Sequence, residues 1–236
     1  MEKEFAATLL AGCRALDLVA PDDGAQQRLY TYFTELKHWS RKVNLIAKGA
    51  GDAEILEKHF LDSLTLLPLL GSDHPHLLDI GTGAGFPGLV CGAARPELEV
   101  TLVEPRLKRA AFLRHLVRTL KLDNITVIQA RVEEEEKLPS AIGFSHITSR
   151  AVSDIQIFLG MCQRFASPGL QVICMKGPKW KEELESWQAT DSGEIFRFDY
   201  QREFELPQSK SMRYLLVFKS ELSNYKKTVK QNKVKK

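Results

Sequence analysis

The sequence predicts an α/β fold in which a mixed, mainly parallel sheet of seven strands follows a helical region. Three observations predict it. From His76 onward short apolar runs alternate with helical stretches, the pattern of a parallel sheet covered on both faces. The last two extended segments follow one another without a helix between them, as an antiparallel hairpin does. A glycine-dense turn, Gly81-Thr82-Gly83-Ala84-Gly85, separates the first apolar run from the helix expected to begin near Phe86.

Residues 1–70 read as a helical extension. Pro21-Asp22-Asp23 opens a helix carrying Leu29, Phe33 and Leu36 at helical spacing as far as Trp39. Asp52 is expected to cap a second helix, whose apolar stripe of Ile55, Leu56, Phe60, Leu64 and Leu67 ends near Pro68 and Gly71. Residues 71–220 form the main domain. Its strands are expected at 77–80, 100–103, 125–129, 146–148 and 170–175, with the hairpin at 194–204 and 212–219. Residues 221–236 read as a basic tail, expected to be disordered and solvated or to grip RNA phosphates.

At 236 residues and 44% hydrophobic content, one sizeable core is affordable. No apolar run approaches the ~20 residues of a membrane span, and Met1-Glu2-Lys3-Glu4 lacks a signal-peptide pattern, so a soluble cytoplasmic protein is expected. Cys13, Cys91, Cys162 and Cys174 stand in no zinc-type spacing and are expected to be reduced, buried and inert, with no metal. The formal charge of +3 is uneven: six of the 33 basic residues follow Glu221, leaving 27 against 30 acidic ones. A second basic group, Arg106, Lys108, Arg109, Arg114, Arg118 and Lys121, lies on an expected helix. It reads as a solvated face, or as a phosphate-contacting one if it borders a cofactor pocket.

The glycine turn carries the chemistry. Glycines allow close backbone approach to a ligand, and the following helix start turns N–H groups toward the same space. About twenty residues on, Glu104 ends the second strand, where a carboxylate accepts hydrogen bonds from ribose hydroxyls. Gly83–Gly88 also fits the dinucleotide fingerprint, which leaves a nicotinamide cofactor and an oxidoreductase as an alternative. Asp79, just before the first glycine, disfavours a pyrophosphate and suits the sulfonium and ammonium of S-adenosylmethionine. Asp79, Gly81, Gly83, Gly85, Phe86 and Glu104 are therefore candidate cofactor residues.

The chain resembles the bacterial small-subunit ribosomal RNA guanine-N7 methyltransferases, also called glucose-inhibited division protein B. The blocks that carry the likeness are Trp39-Ser40-Arg41-Lys42-Val43-Asn44-Leu45, His59-Phe60-Leu61-Asp62-Ser63, Asp79–Gly88, Leu107-Lys108-Arg109, Phe112-Leu113-Arg114, Arg131-Val132-Glu133-Glu134, Ser149-Arg150-Ala151 and Lys176-Gly177. Ala84 stands where the family often has proline. The resemblance implies a Rossmann-like class I S-adenosylmethionine-dependent methyltransferase acting on one guanine of the decoding region of 16S ribosomal RNA. It implies that Gly81 and Phe86 line the methionine and adenosine portions, that Val132 and Glu133 lie near the adenine, and that Arg150 sits at the pocket mouth.

Guanine N7 has an in-plane lone pair and no proton, so its methylation needs no general base. Catalysis then rests on alignment, with Arg150 and Lys176 as candidates to hold guanine O6 or a flanking phosphate. No cysteine stands in the Pro-Cys setting of cytosine methylation, and Ser149-Arg150-Ala151-Val152 differs from the Asn/Asp-Pro-Pro-aromatic run of adenine methylation. The six histidines form no metal spacing, and His59 reads as a local hydrogen-bonding residue. The expected partner is 16S ribosomal RNA, naked or in the 30S particle, and the expected state a monomer. A non-catalytic RNA-binding ribosome-assembly factor is the remaining alternative.

Overall fold

The computed structural model describes residues 1–71, 73–138, 143–150, 153–190 and 195–222. The tail lysines from Lys226 onward, Ala151 and the first residue expected of the hairpin, Glu194, lie outside these. The strands are β1 (His76–Ile80), β2 (Glu99–Val103), β3 (Ile125–Ile128), β4 (His146–Arg150), β5 (Gln171–Lys176), β6 (Phe196–Glu205) and β7 (Met212–Ser220). They form one sheet of order β3-β2-β1-β4-β5-β7-β6. The first five run parallel, and β7 enters antiparallel between β5 and β6. Strand order reverses between β1 and β4, so the carboxyl ends of these two strands open the crevice where ligands bind in open α/β sheets. The central strands are buried on both faces, which is why they read as largely apolar runs, interrupted by Asp79 in β1 and Thr101 in β2.

Helices α1 (Glu2–Ala15) and α2 (Asp23–Ser40) precede the sheet. Asp22 caps α2, its carboxylate accepting from Ala25 N at 2.7 Å. The next helix differs from expectation. Gly51, not Asp52, takes the cap position, and Asp52 is the first helical residue, paired instead with Lys37. The helix runs as α3 (Asp52–Ile55), a π-helical segment (Leu56–Leu61) and α4 (Asp62–Leu64), and a 3₁₀ turn at Leu67–Leu69 completes the stretch. The π segment carries one extra residue per turn and sets His59 and Asp62 toward the sheet edge.

Helices α5 (Gly88–Ala94) and α6 (Leu107–Leu120) cover the same face as α1 to α4, and α7 (Ile155–Cys162) and α8 (Trp180–Thr190) cover the other. The helical region and the sheet share one core on the first face: Phe5, Leu9, Tyr32, Phe33 and Phe60 pack with Phe86, Leu89, Phe112 and Leu116. Burying each such aromatic contributes on the order of 2–3 kcal/mol, so the helical region is fastened to this face of the sheet. All four cysteines are buried and free, and burial raises their thiols, Cys13 to about 11 and Cys174 to about 12, which leaves them protonated and inert.

Candidate cofactor and methyl-transfer site

The loop after β1 is built around Asp79. This side chain is fully buried, and its Oδ2 accepts from Thr82 Oγ1 at 2.6 Å and from Gly88 N at 2.8 Å. Its Oδ1 has no hydrogen-bond partner among the described residues. Burial raises the carboxyl from 3.8 to about 6, against the pull of the Thr82 and Gly88 bonds. A buried carboxylate oxygen left unpaired at the base of a ligand loop is matched by a cationic group and opposed by a pyrophosphate.

Glu104, also buried, accepts from Gly83 N at 3.0 Å through Oε2 and from Arg106 N at 2.8 Å through Oε1. It thus ties the loop to the start of α6, and each oxygen keeps a lone pair for a hydroxyl donor. The expectation that loop and helix amides face the ligand is corrected in part. Helix α5 begins at Gly88, and the amides of Gly81, Thr82, Gly83, Gly85, Phe86 and Gly88 are all consumed within the loop and its strands. What the glycines provide is backbone shape. Gly81, Gly83 and Gly85 have φ of 69°, 64° and 102°, and at Gly83 the nearest atom to an added Cβ is Arg109 Nη1 at 3.8 Å, an ordinary contact.

Above the loop, Phe86 is stacked between two residues of the helical region, Tyr32 at 5.6 Å and His59 at 4.8 Å between ring centres. The Tyr32 hydroxyl donates to the Ala84 carbonyl at 2.5 Å. Arg150, ending β4, lies over the same ring with its guanidinium carbon 5.1 Å from the centroid. It donates to the Lys58 carbonyl at 2.8 Å, to Asp62 Oδ2 at 3.3 Å and to His59 Nδ1 at 2.9 Å. Asp62 is buried and also meets Arg213 of β7 at 3.6 Å. Burial raises its carboxyl while both arginines pull it down. Burial and the Arg150 charge lower His59 to about 4, so at neutral pH it is an uncharged acceptor. A further tie, Glu57, buried on the π segment, accepts from the backbone N–H groups of Gln208 and Ser209 in the β6–β7 turn.

The model of the family described as rRNA small subunit methyltransferase G matches residues 25–197. The chain is 53% identical over 219 residues to the ribosomal RNA small subunit methyltransferase G of Desulfotalea psychrophila, covering 92% of this chain and 95% of that protein. It is 39% identical to the enzyme of that name from Myxococcus xanthus, covering 92% and 98%. The chain belongs to the rRNA small subunit methyltransferase G family. It is therefore a methyltransferase, which sets aside both the nicotinamide oxidoreductase and the non-catalytic assembly factor. Among solved structures it is similar to a SAM-dependent methyltransferase from Aquifex aeolicus (TM-score 0.50, 22% identity, 70% of this chain and 92% of that one). It is also similar to a predicted O-methyltransferase from Agrobacterium tumefaciens (TM-score 0.51, 20% identity, 66% and 79%). The fold is that of the class I S-adenosylmethionine-dependent methyltransferases, as expected.

Against this family frame the candidate residues divide. The structure gathers Asp79, Gly81, Gly83, Gly85, Phe86, Glu104 and Arg150 around one loop. Val132 follows β3, 7% exposed, in the core of the second face, and Glu133 is exposed beside it. Lys176 differs from its neighbours: its ammonium meets Glu183 Oε2 at 2.7 Å and the Ser153 carbonyl at 2.7 Å, an ion pair that joins β5 to α8. Tyr32, Glu57, Asp62 and Arg213 were not singled out from the sequence for these roles. Asp62 carried a faint signal, three residues after His59 and so on the same helical side; Tyr32 carried none, since its apolar neighbours are those of any core aromatic.

Proposed function

We propose that this chain transfers the methyl group of S-adenosylmethionine to N7 of a guanine in the decoding region of 16S ribosomal RNA. The observation that carries the reading is the unpaired, buried Asp79 carboxylate oxygen under a glycine loop in a chain of this family. Asp79, Gly81, Gly83, Gly85 and Phe86 would hold the cofactor, with Glu104 toward its ribose and Val132 and Glu133 toward its adenine. When bound, S-adenosylmethionine supplies an electrophilic methyl on a sulfonium.

The chain's own residues then have a positioning task. The N7 lone pair is available without deprotonation, and Arg150 and the paired Lys176 are cations and not bases. Arg150 commits three of its five N–H donors to Lys58, His59 and Asp62, which fixes the guanidinium and leaves two donors for guanine O6 or a phosphate. Alignment of N7 with the methyl group supplies the rate enhancement. Lys176 braces the same edge through Ser153 and Glu183.

Purified protein incubated with radiolabelled S-adenosylmethionine and unmodified 16S RNA, naked and as 30S particles, tests this directly. Label on N7 of a single guanine is expected. Label on another atom, or none with either substrate, overturns it.

A further inference from the structure

Among the stretches of the chain without an acidic residue are 36–51, with Lys37, Arg41, Lys42 and Lys48, and 105–122, with six cations. They are far apart in sequence, yet the structure joins them beside the cofactor loop. Arg109 Nη2 donates to the Asn44 carbonyl at 3.1 Å, and Arg109 Nη1 lies 3.8 Å from where a Cβ on Gly83 would stand. Glu104 ties Gly83 and Arg106 together from below. The segment after α2 also walls a groove of about 730 Å³ lined by Arg41, Lys42 and Lys48.

Some cations on this face are neutralised by a partner and others are not. Lys37 pairs with Asp52 and Lys58 with Glu54. Arg41, Lys42, Lys48, Arg106 and Lys108 are exposed, and none of them, nor Arg109, makes an ion pair among the described residues. Local stability does not account for Arg106, Lys108 and Arg109, which stand at the positive end of α6, where cations are unfavourable; Arg41 and Lys42 stand at the carboxyl end of α2, where cations are favourable. Between them Leu107 is 64% exposed, an apolar surface for an unstacked base.

We propose that the 41–48 segment and the first turn of α6, clamped by Arg109 and Asn44, form one phosphate-binding surface that delivers the RNA backbone to the rim of the cofactor loop. This rests on the reading of the substrate as ribosomal RNA. A polyanion running over Lys42 and Lys48 to Arg106 and Lys108 reaches the loop at Gly83, on the opposite side from Arg150.

The test compares two double variants of equal charge. Lys48→Gln/Lys108→Gln removes two cations from the surface. Arg118→Gln/Lys121→Gln removes two exposed cations from the far end of the same helix, about 15 Å away at 1.5 Å per residue. Binding of naked 16S RNA is measured against salt without cofactor, alongside KM for RNA and S-adenosylmethionine affinity. The surface variant should bind RNA roughly tenfold more weakly near physiological salt and lower the slope of log K against log salt by about 1.5, with cofactor affinity unchanged. The control should change neither by more than twofold. Equal losses in the two variants, or no loss in the surface variant, overturn the proposal. So does a defect confined to 30S particles with naked RNA binding intact, which would assign the surface to a ribosomal protein. RNA binding that follows the surface charges in a protein that transfers no methyl group would instead refute the proposed function and leave this surface standing.

Discussion

Arg150 and His59 share a hydrogen bond of 2.9 Å across 91 residues of sequence, and both lie against the ring of Phe86. The end of β4 is thereby locked to the π-helical turn, and the glycine loop is clamped between them. Asp62 completes the lock by facing Arg150 and Arg213 together.

Replacing Arg150 by methionine should leave Asp62 a buried carboxylate with only Arg213 beside it. The expected cost is about 3 kcal/mol at neutral pH, the range for breaking one side of a buried pair. Denaturant unfolding of Arg150→Met, Asp62→Asn and the double variant checks it, and a coupling below about 0.5 kcal/mol would refute the lock.

Asp79→Asn should separate folding from cofactor binding. The folded carboxyl is raised from 3.8 to about 6, so the native state binds more protons in that window and loses stability as pH rises through it. A shift of about 2 units is worth roughly 3 kcal/mol. Asparagine keeps an oxygen for Thr82 and Gly88 without the charge. Its melting temperature at pH 7.5 should match or exceed that of the unchanged protein, while S-adenosylmethionine affinity falls at least tenfold. A fall in both would make Asp79 structural only.

His59 works in the opposite sense. Its pKa falls from 6.5 to about 4 on folding, so the unfolded chain binds more protons between those values and stability drops as pH falls from 6.5 toward 4. His146, also lowered to about 4 by burial, adds to this acid limb. His59→Gln should flatten the stability profile between pH 6.5 and 4 by roughly 2 kcal/mol, discounted for its partial exposure. An unchanged profile would show that His59 is not buried neutral.

Two glycines of the loop should respond differently to alanine. At Gly85, φ is 102° and a Cβ would stand 2.6 Å from Tyr32 Oη and 2.9 Å from Leu89 Cβ. Gly85→Ala should cost 2 kcal/mol or more, on the order of the strain and overpacking together. At Gly83 the new methyl meets nothing within 3.4 Å, so Gly83→Ala should cost roughly 1 kcal/mol for its φ and act chiefly on cofactor affinity. Melting curves with and without S-adenosylmethionine distinguish them.

Tyr32→Phe removes the donor to the Ala84 carbonyl while keeping the ring on Phe86. Leaving a buried carbonyl without its donor costs about 1–3 kcal/mol. A melting temperature within one degree of the unchanged protein would show that this bond does not hold the loop.

The sequence by itself determined the local pieces. Apolar runs of strand length, the hairpin without a helix, the glycines of the β1 loop and the carboxylates Asp79 and Glu104 are local features, and their chemistry follows from residue type and neighbours. Only the tertiary structure decided which of these pieces meet. The π turn that aims His59 and Asp62 at Arg150, the Tyr32 contact with Ala84, the pairing of Lys176 with Glu183 and the joining of two acid-free stretches at Arg109 and Asn44 all span long separations. The physical reason is that hydrogen-bond periodicity and turn chemistry act over a few residues. Which side chains then share a buried, low-dielectric volume depends on how whole elements pack, and that packing alone sets whether a charge is paired, buried or free.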